Sequence, residues 1–171
     1  MEVTNLQRQI MAPFVTETLN ALANMAGLKA TVGEEFLDDV KSFKFKGYAV
    51  SAPTHGIIEG VILVHFYIET ALSIANHVRL HMLGVTAPEA SVTPEVSEAL
   101  QEFCNTFIGL STADLERLDL GIRFEPPQFI QNTEDMMRLI GHTQEIVCTP
   151  VLVEGVGRFY LNLLMHDKTE G

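Results

Sequence analysis

A chain of 171 residues with 47% hydrophobic and 19% charged residues can bury a sizeable core and is too apolar to be disordered. Its net charge of −11 argues against nucleic acid and anionic membrane as partners, because the 11 Lys and Arg make no evident basic face. The 2 cysteines, Cys104 and Cys148, form neither a disulfide framework nor a zinc spacing. No basic region followed by an apolar run opens the chain, and no apolar run approaches the roughly 18 residues of a membrane span. A cytoplasmic protein with one domain over residues 1–171 is the expectation.

Helical spacing predicts a first helix over Asn5–Ala26, with Val15, Leu19, Leu22 and Ala26 on one face and Gly27 closing it. Pro13 lies inside that span, so the helix either begins there or is kinked there. Residues 29–39 are acidic and ambiguous, a strand with a loop. Phe43, Phe45 and residues 48–50 read as an extended segment, ended by turn signals between Pro53 and Gly56. Residues 57–68 are β-branched and aromatic, which predicts a central strand, and residues 69–83 return to helical spacing before Gly84. A Pro-, Ala- and Ser-containing linker covers residues 85–92.

The stretch from Thr93 to Leu118 carries the strongest helical signal. Thr93 can cap it, Pro94 suits its first turn, and Val96, Leu100, Phe103, Phe107 and Leu110 make one apolar stripe. At about 100° per residue, Glu102 and Asn105 fall on the opposite side, about 60° apart, and Gly109 shares that side. A Gly inside a helix costs about 1 kcal/mol against Ala, so it asks for a packing or docking reason. Spacing alone favours the plainer reading, a solvated face carrying a chance Glu and Asn. Beyond it, residues 121–124 read as a strand entering Pro126-Pro127, which must sit at an edge or leave the sheet. Residues 133–140 read as a short helix capped by Asn132 or Thr133. Residues 145–153 and 158–165 read as a hairpin around Glu154-Gly155-Val156-Gly157, and a polar tail is expected from near 167.

Each half of the chain has a long helix followed by strands. Glu17 and Asn20 in the first helix repeat the spacing of Glu102 and Asn105, and Glu59-Gly60-Val61 is echoed by Glu154-Gly155-Val156. The expected architecture is α+β, an antiparallel sheet with long helices packed on it and an internal pseudo-duplication.

The usual chemical signatures are missing: there is no phosphate-binding glycine loop and no G-x-S-x-G elbow. His77 and His81 have i, i+4 spacing but lack the H-E-x-x-H pattern and an implied third ligand, so no metal site is assigned. The Glu102/Asn105 pair is left. An Asn amide both donates and accepts, so it can hold and aim a water, and a carboxylate one turn away can pair with a cation. Neither is a strong nucleophile; catalysis by this pair means hydrolysis by a positioned water, with the other parts on the substrate.

Glu102-Phe-Cys-Asn105-Thr-Phe-Ile-Gly109 resembles the E-x-x-N-x-x-x-G motif of the CheC/CheX/FliY phosphatases of bacterial chemotaxis, and CheX in particular. Ala12-Pro-Phe14 through Asn24-Met-Ala-Gly27, Ile58-Glu-Gly60 with Glu69-Thr-Ala-Leu72, and Phe124-Glu-Pro-Pro127 resemble further family blocks in the same order. The resemblance implies dephosphorylation of the phospho-aspartate of a CheY-type receiver domain. Glu102 would pair with the receiver's active-site lysine, Asn105 would orient the attacking water, and Gly109 would permit close approach. It implies no cofactor of the chain's own, with Mg²⁺ on the receiver, and a homodimer built by strand pairing. A receiver-binding module without hydrolysis is the alternative. Family members often carry Gly where this chain has Cys104 and a small residue where it has Ile108. Glu17 and Asn20 mark a possible second site as in CheC, although Asn24 stands where Gly is expected.

Overall fold

The computed structural model describes residues 2–41, 43, 47–130 and 132–166. Thr4 and Gln7 cap each other reciprocally, so helix α1 (Asn5–Ala26) starts at the predicted residue and ends on Gly27 at φ 64°. It runs through Pro13 without stopping there. The donor that Pro13 lacks deprives the carbonyl of Gln9, which is exposed and within reach of water. The buried stripe is Ile10, Phe14, Thr18, Ala21, Leu22 and Ala26; the predicted Val15 and Leu19 only flank it.

Two short strands follow, β1 (Ala30–Val32) and β2 (Phe36–Asp38), then β3 (Tyr48–Gly56) and β4 (Gly60–Phe66). Strand β4 is buried along its whole length, as expected of a central strand covered on both faces. Helix α2 (Ile68–Leu83) closes on Gly84, and the linker leads into α3 (Pro94–Arg117), capped by Thr93. The second half has β5 (Ile122–Phe124), β6 (Gln128–Ile130), α4 (Thr133–Gly141, capped by Asn132), β7 (Thr143–Val153) and β8 (Gly157–His166). Strand β6 was not foreseen. Phe45 and the polar tail lie outside the described residues.

The strands form one antiparallel sheet of order β1-β7-β8-β4-β3-β5, with β2 also on β7 and β6 also on β3. Its two halves are arranged alike. The hairpins β3-β4 and β7-β8 meet through β4 and β8 at the centre, and each outer strand is bordered by two short strands from the other half. In the gap between those short strands each outer strand carries a proline. The Pro53 carbonyl accepts from the Glu125 N–H, and the Pro150 carbonyl from the Gly33 N–H, both at 2.9 Å. A strand residue's N–H and C=O point the same way, so each missing donor falls where no ladder bond is formed. Pro53 therefore sits inside β3, where the sequence suggested a turn. The Glu-Gly-Val echo, by contrast, is not structural: Gly60 begins β4, and Gly155 sits in the β7–β8 turn at φ 75°.

Helices α1, α2 and α3 pack on one another and on one sheet face, over Val50, Ile62, Val64, Phe159 and Leu161. Met136 of α4 covers the other face with Leu63, Ile146 and Leu164. Among the described residues no helix is long and apolar enough to cross a membrane.

Candidate active site

Helix α3 is held by Val96, Leu100, Phe103 and Phe107, all buried. After Phe107 the buried arc moves round to Ile108, Ser111 and Leu115, where α3 meets α1 and the Ser111 hydroxyl donates to the Pro13 carbonyl at 3.3 Å. That drift leaves Leu110, expected in the stripe, 48% exposed. The cause is tertiary: the helix turns its C-terminal half toward α1 as well as the sheet.

Glu102, Asn105 and Gly109 all lie on the exposed side, as the helical period predicts. Among the described residues neither Glu102 nor Asn105 has a side-chain hydrogen bond or ion pair. A Cβ built on Gly109 would meet nothing within 4 Å, so no neighbour within the chain excludes a side chain there. Thr106 donates its hydroxyl to the Glu102 carbonyl at 2.8 Å, and Thr112 to the Gly109 carbonyl at 3.0 Å. Both hydroxyls are thus turned onto the helix's own backbone. The face offers a free carboxylate, a free carboxamide and an unobstructed stretch of backbone. Such a set can pair with a cation and position a water, and it supplies no nucleophile.

The two departures from the family motif point inward. Cys104 and Ile108 are 0% and 1% exposed, so neither contributes to the outward face. Burial pushes the Cys104 thiol well above its ordinary pKa, and Cys148 is pushed to about 12, by burial first and then by Asp38. Both behave as small apolar groups.

The other pair has different surroundings. Asn20 and Asn24 are exposed, but Glu17 is half-buried against Asp114 of α3. Burial, then the hydrogen bond and charge of Asp114, raises the Glu17 pKa, with Arg117 opposing. Arg117 in turn pairs with Asp114 at 3.3 Å. No sequence signal pointed to this contact, which depends on how α1 and α3 cross.

His77 and His81 do not form a ligand pair. His77 Nδ1 lies 2.7 Å from the Ser73 carbonyl of its own helix, and His81 rests on Gly27. No three His, Cys, Asp or Glu side chains come together as a metal-binding group among the described residues.

Comparison with known proteins places this geometry in context. A family model described as chemotaxis phosphatase CheX matches residues 48–150, which include Glu102, Asn105 and Gly109 and begin after Glu17 and Asn20. The fold is similar to the chemotaxis protein CheX of Desulfovibrio desulfuricans, with TM-score 0.69 and 19% identity over 92% of this chain and 99% of that one. It is similar to CheX of Vibrio vulnificus, with TM-score 0.69 and 18% identity over 92% and 99%. A third similar structure is a CheX–CheY–BeF3–Mg²⁺ complex of Borrelia burgdorferi, with TM-score 0.68 and 20% identity over 92% and 98%. No curated protein matches the sequence significantly.

Proposed function

The chain belongs to the CheX family of chemotaxis phosphatases, and on that premise we propose that it dephosphorylates the phospho-aspartate of a CheY-type receiver domain through the outward face of α3. One observation carries the reading. Glu102 and Asn105 stand exposed and unpaired beside Gly109, whose missing side chain no neighbour within the chain excludes. A free carboxylate on a chain of net charge −11 favours pairing with a partner's lysine, which sets the register of docking. With the helix docked, the Asn105 carboxamide accepts from a water and donates to the acyl phosphate, holding that water in line with phosphorus. Gly109 lets the receiver approach the α3 backbone at the distance this reach requires. Mg²⁺, held by the receiver, neutralises charge on the phosphoryl oxygens.

The solved Borrelia complex supports the choice of partner, since it joins a protein of this fold to CheY in the presence of a beryllium fluoride. The reading places the protein in the cytoplasm, with its receiver, and as a homodimer joined through sheet edges. Light scattering of the purified protein measures that stoichiometry.

Incubation with Mg²⁺ and a phosphorylated receiver, following loss of phosphate, tests the activity. Wild type accelerates the loss, Asn105→Ala lowers the accelerated rate by about 100-fold while still binding, and Glu102→Ala weakens binding. A wild-type rate no greater than that of the receiver alone refutes the phosphatase reading. Cys104 and Ile108, where family members often carry smaller residues, are buried away from the Glu102 and Asn105 face, which supports turnover over a receiver-binding module without hydrolysis.

A further inference from the structure

Residues four apart on a helix are surface neighbours, roughly 5–6 Å between Cβ atoms. The outward face of α3 therefore consists of two adjacent rows. One runs Glu102, Thr106, Leu110; the other runs Asn105, Gly109, Ala113. The second row is low, because Gly109 contributes no side chain and Ala113 only a methyl group. The first row rises from a carboxylate through a threonine to a leucine that is 48% exposed. Thr106 has its hydroxyl on the Glu102 carbonyl, so it does not offer that hydroxyl to a partner.

Leu110 is out of keeping with its surroundings. Among the exposed residues of α3 it is the one large apolar side chain, the others being Pro94, Gly109 and polar or charged groups, on a chain of net charge −11. Its exposure follows from the roll of α3 toward α1, which takes Ile108, Ser111 and Leu115 inward instead. A surface that covers Glu102 and approaches the Gly109 backbone borders Thr106, one turn beyond Glu102, and Leu110, the residue after Gly109 on the flank of that face.

From this juxtaposition we propose that Leu110 is a specificity-determining docking residue, which seats an apolar side chain of the receiver next to its phosphorylation site. The inference rests on the receiver-docking reading above and adds the kind of surface the receiver must present. Polar groups at Glu102 and Asn105 address the phosphorylation site itself, and the Thr106–Leu110 end selects among receivers by their apolar complement. Apolar burial of this sort contributes equally to ground state and transition state, so it acts on affinity and not on turnover.

The test uses the full chain and a CheY-type receiver of the same organism, phosphorylated with acetyl phosphate. Leu110→Ser is expected to raise KM by about tenfold with kcat unchanged, and Leu110→Met to restore it. In parallel, binding is titrated with the receiver held in its beryllium fluoride and Mg²⁺ form. An active wild type whose KM is untouched by Leu110→Ser overturns this inference and leaves the phosphatase reading standing. A wild type that binds without hydrolysis, yet loses affinity in Leu110→Ser, supports the inference and overturns the phosphatase reading. A wild type that binds no receiver overturns both. Thermal unfolding of each variant, expected to match wild type because Leu110 is half exposed, shows that the fold is intact.

Discussion

Helices α1 and α3 are near-equivalent as structural members and unequal as surfaces. Each opens its half of the chain, each crosses the same sheet face, and each anchors itself with a fully buried phenylalanine, Phe14 or Phe107. Each also carries Glu-x-x-Asn on the side away from its apolar stripe. On α3 the carboxylate and carboxamide are free, beside a glycine with open space over it. On α1 the carboxylate is half-buried near Asp114, which raises its pKa after burial itself, and Asn24 stands where the glycine is expected. Spacing defines a face; the neighbouring element decides whether that face is available to a partner. The two scaffolds are alike, and of the two carboxylates it is Glu17 that has a carboxylate of the neighbouring helix, Asp114, beside it.

The largest expected effects test the equivalence of the scaffolds. Phe14→Ala and Phe107→Ala each remove a fully buried ring and should each cost about 3–5 kcal/mol in denaturant unfolding. A much smaller loss at either site breaks the structural half of the comparison. The functional half is read from the asparagines. Asn105→Ala is expected to lower receiver dephosphorylation by about 100-fold, on the order of 2.7 kcal/mol, the range seen when a positioned hydrogen-bonding group is removed. Asn20→Ala should leave the rate unchanged. Comparable losses at the two positions mean that both faces work.

How much of this was legible in the sequence depends on whether the signal was local. The bounds of α1 and α3 were readable from Gly27, Thr93 and Pro94, because caps and first-turn prolines act on the adjacent backbone. The directions of Glu102, Asn105 and Gly109 were readable because the helical period fixes them. Leu110 was misplaced in the core, since the roll of α3 onto α1 is a tertiary event with no local mark. Pro53 read as a turn because its tolerance in β3 depends on the gap between β5 and β6, and β6 itself went unseen. The Glu17–Asp114 contact joins residues far apart in the chain, so spacing alone made the two pairs look alike.

A smaller effect separates stability from function at Gly109. Ala is a better helix residue than Gly by about 1 kcal/mol, and a Cβ there meets no neighbour, so Gly109→Ala should stabilise the protein by roughly that amount. The same methyl group stands between α3 and the receiver, so docking should weaken as the fold strengthens. A variant that is more stable and fully active removes the docking explanation for the glycine.

The smallest effect concerns the surroundings of the α1 pair. A carboxyl whose pKa is raised on folding is held with its proton more tightly in the folded state than in the unfolded chain. Its stabilising contribution is complete below the ordinary carboxylate range and is lost as pH rises through the raised value. At neutral pH Glu17 is therefore a mild penalty, set by burial and by the nearby Asp114 charge, and partly relieved by Arg117. Glu17→Gln keeps the shape and supplies a permanent donor toward Asp114. It should raise the unfolding midpoint slightly at neutral pH, by an amount that shrinks toward zero as the solution is acidified. Arg117→Ala should act in the opposite sense, deepening the penalty at neutral pH. If the Glu17→Gln profile runs parallel to wild type across that whole range, Glu17 does not share its environment with Asp114. The pair on α1 would then be as open as the one on α3.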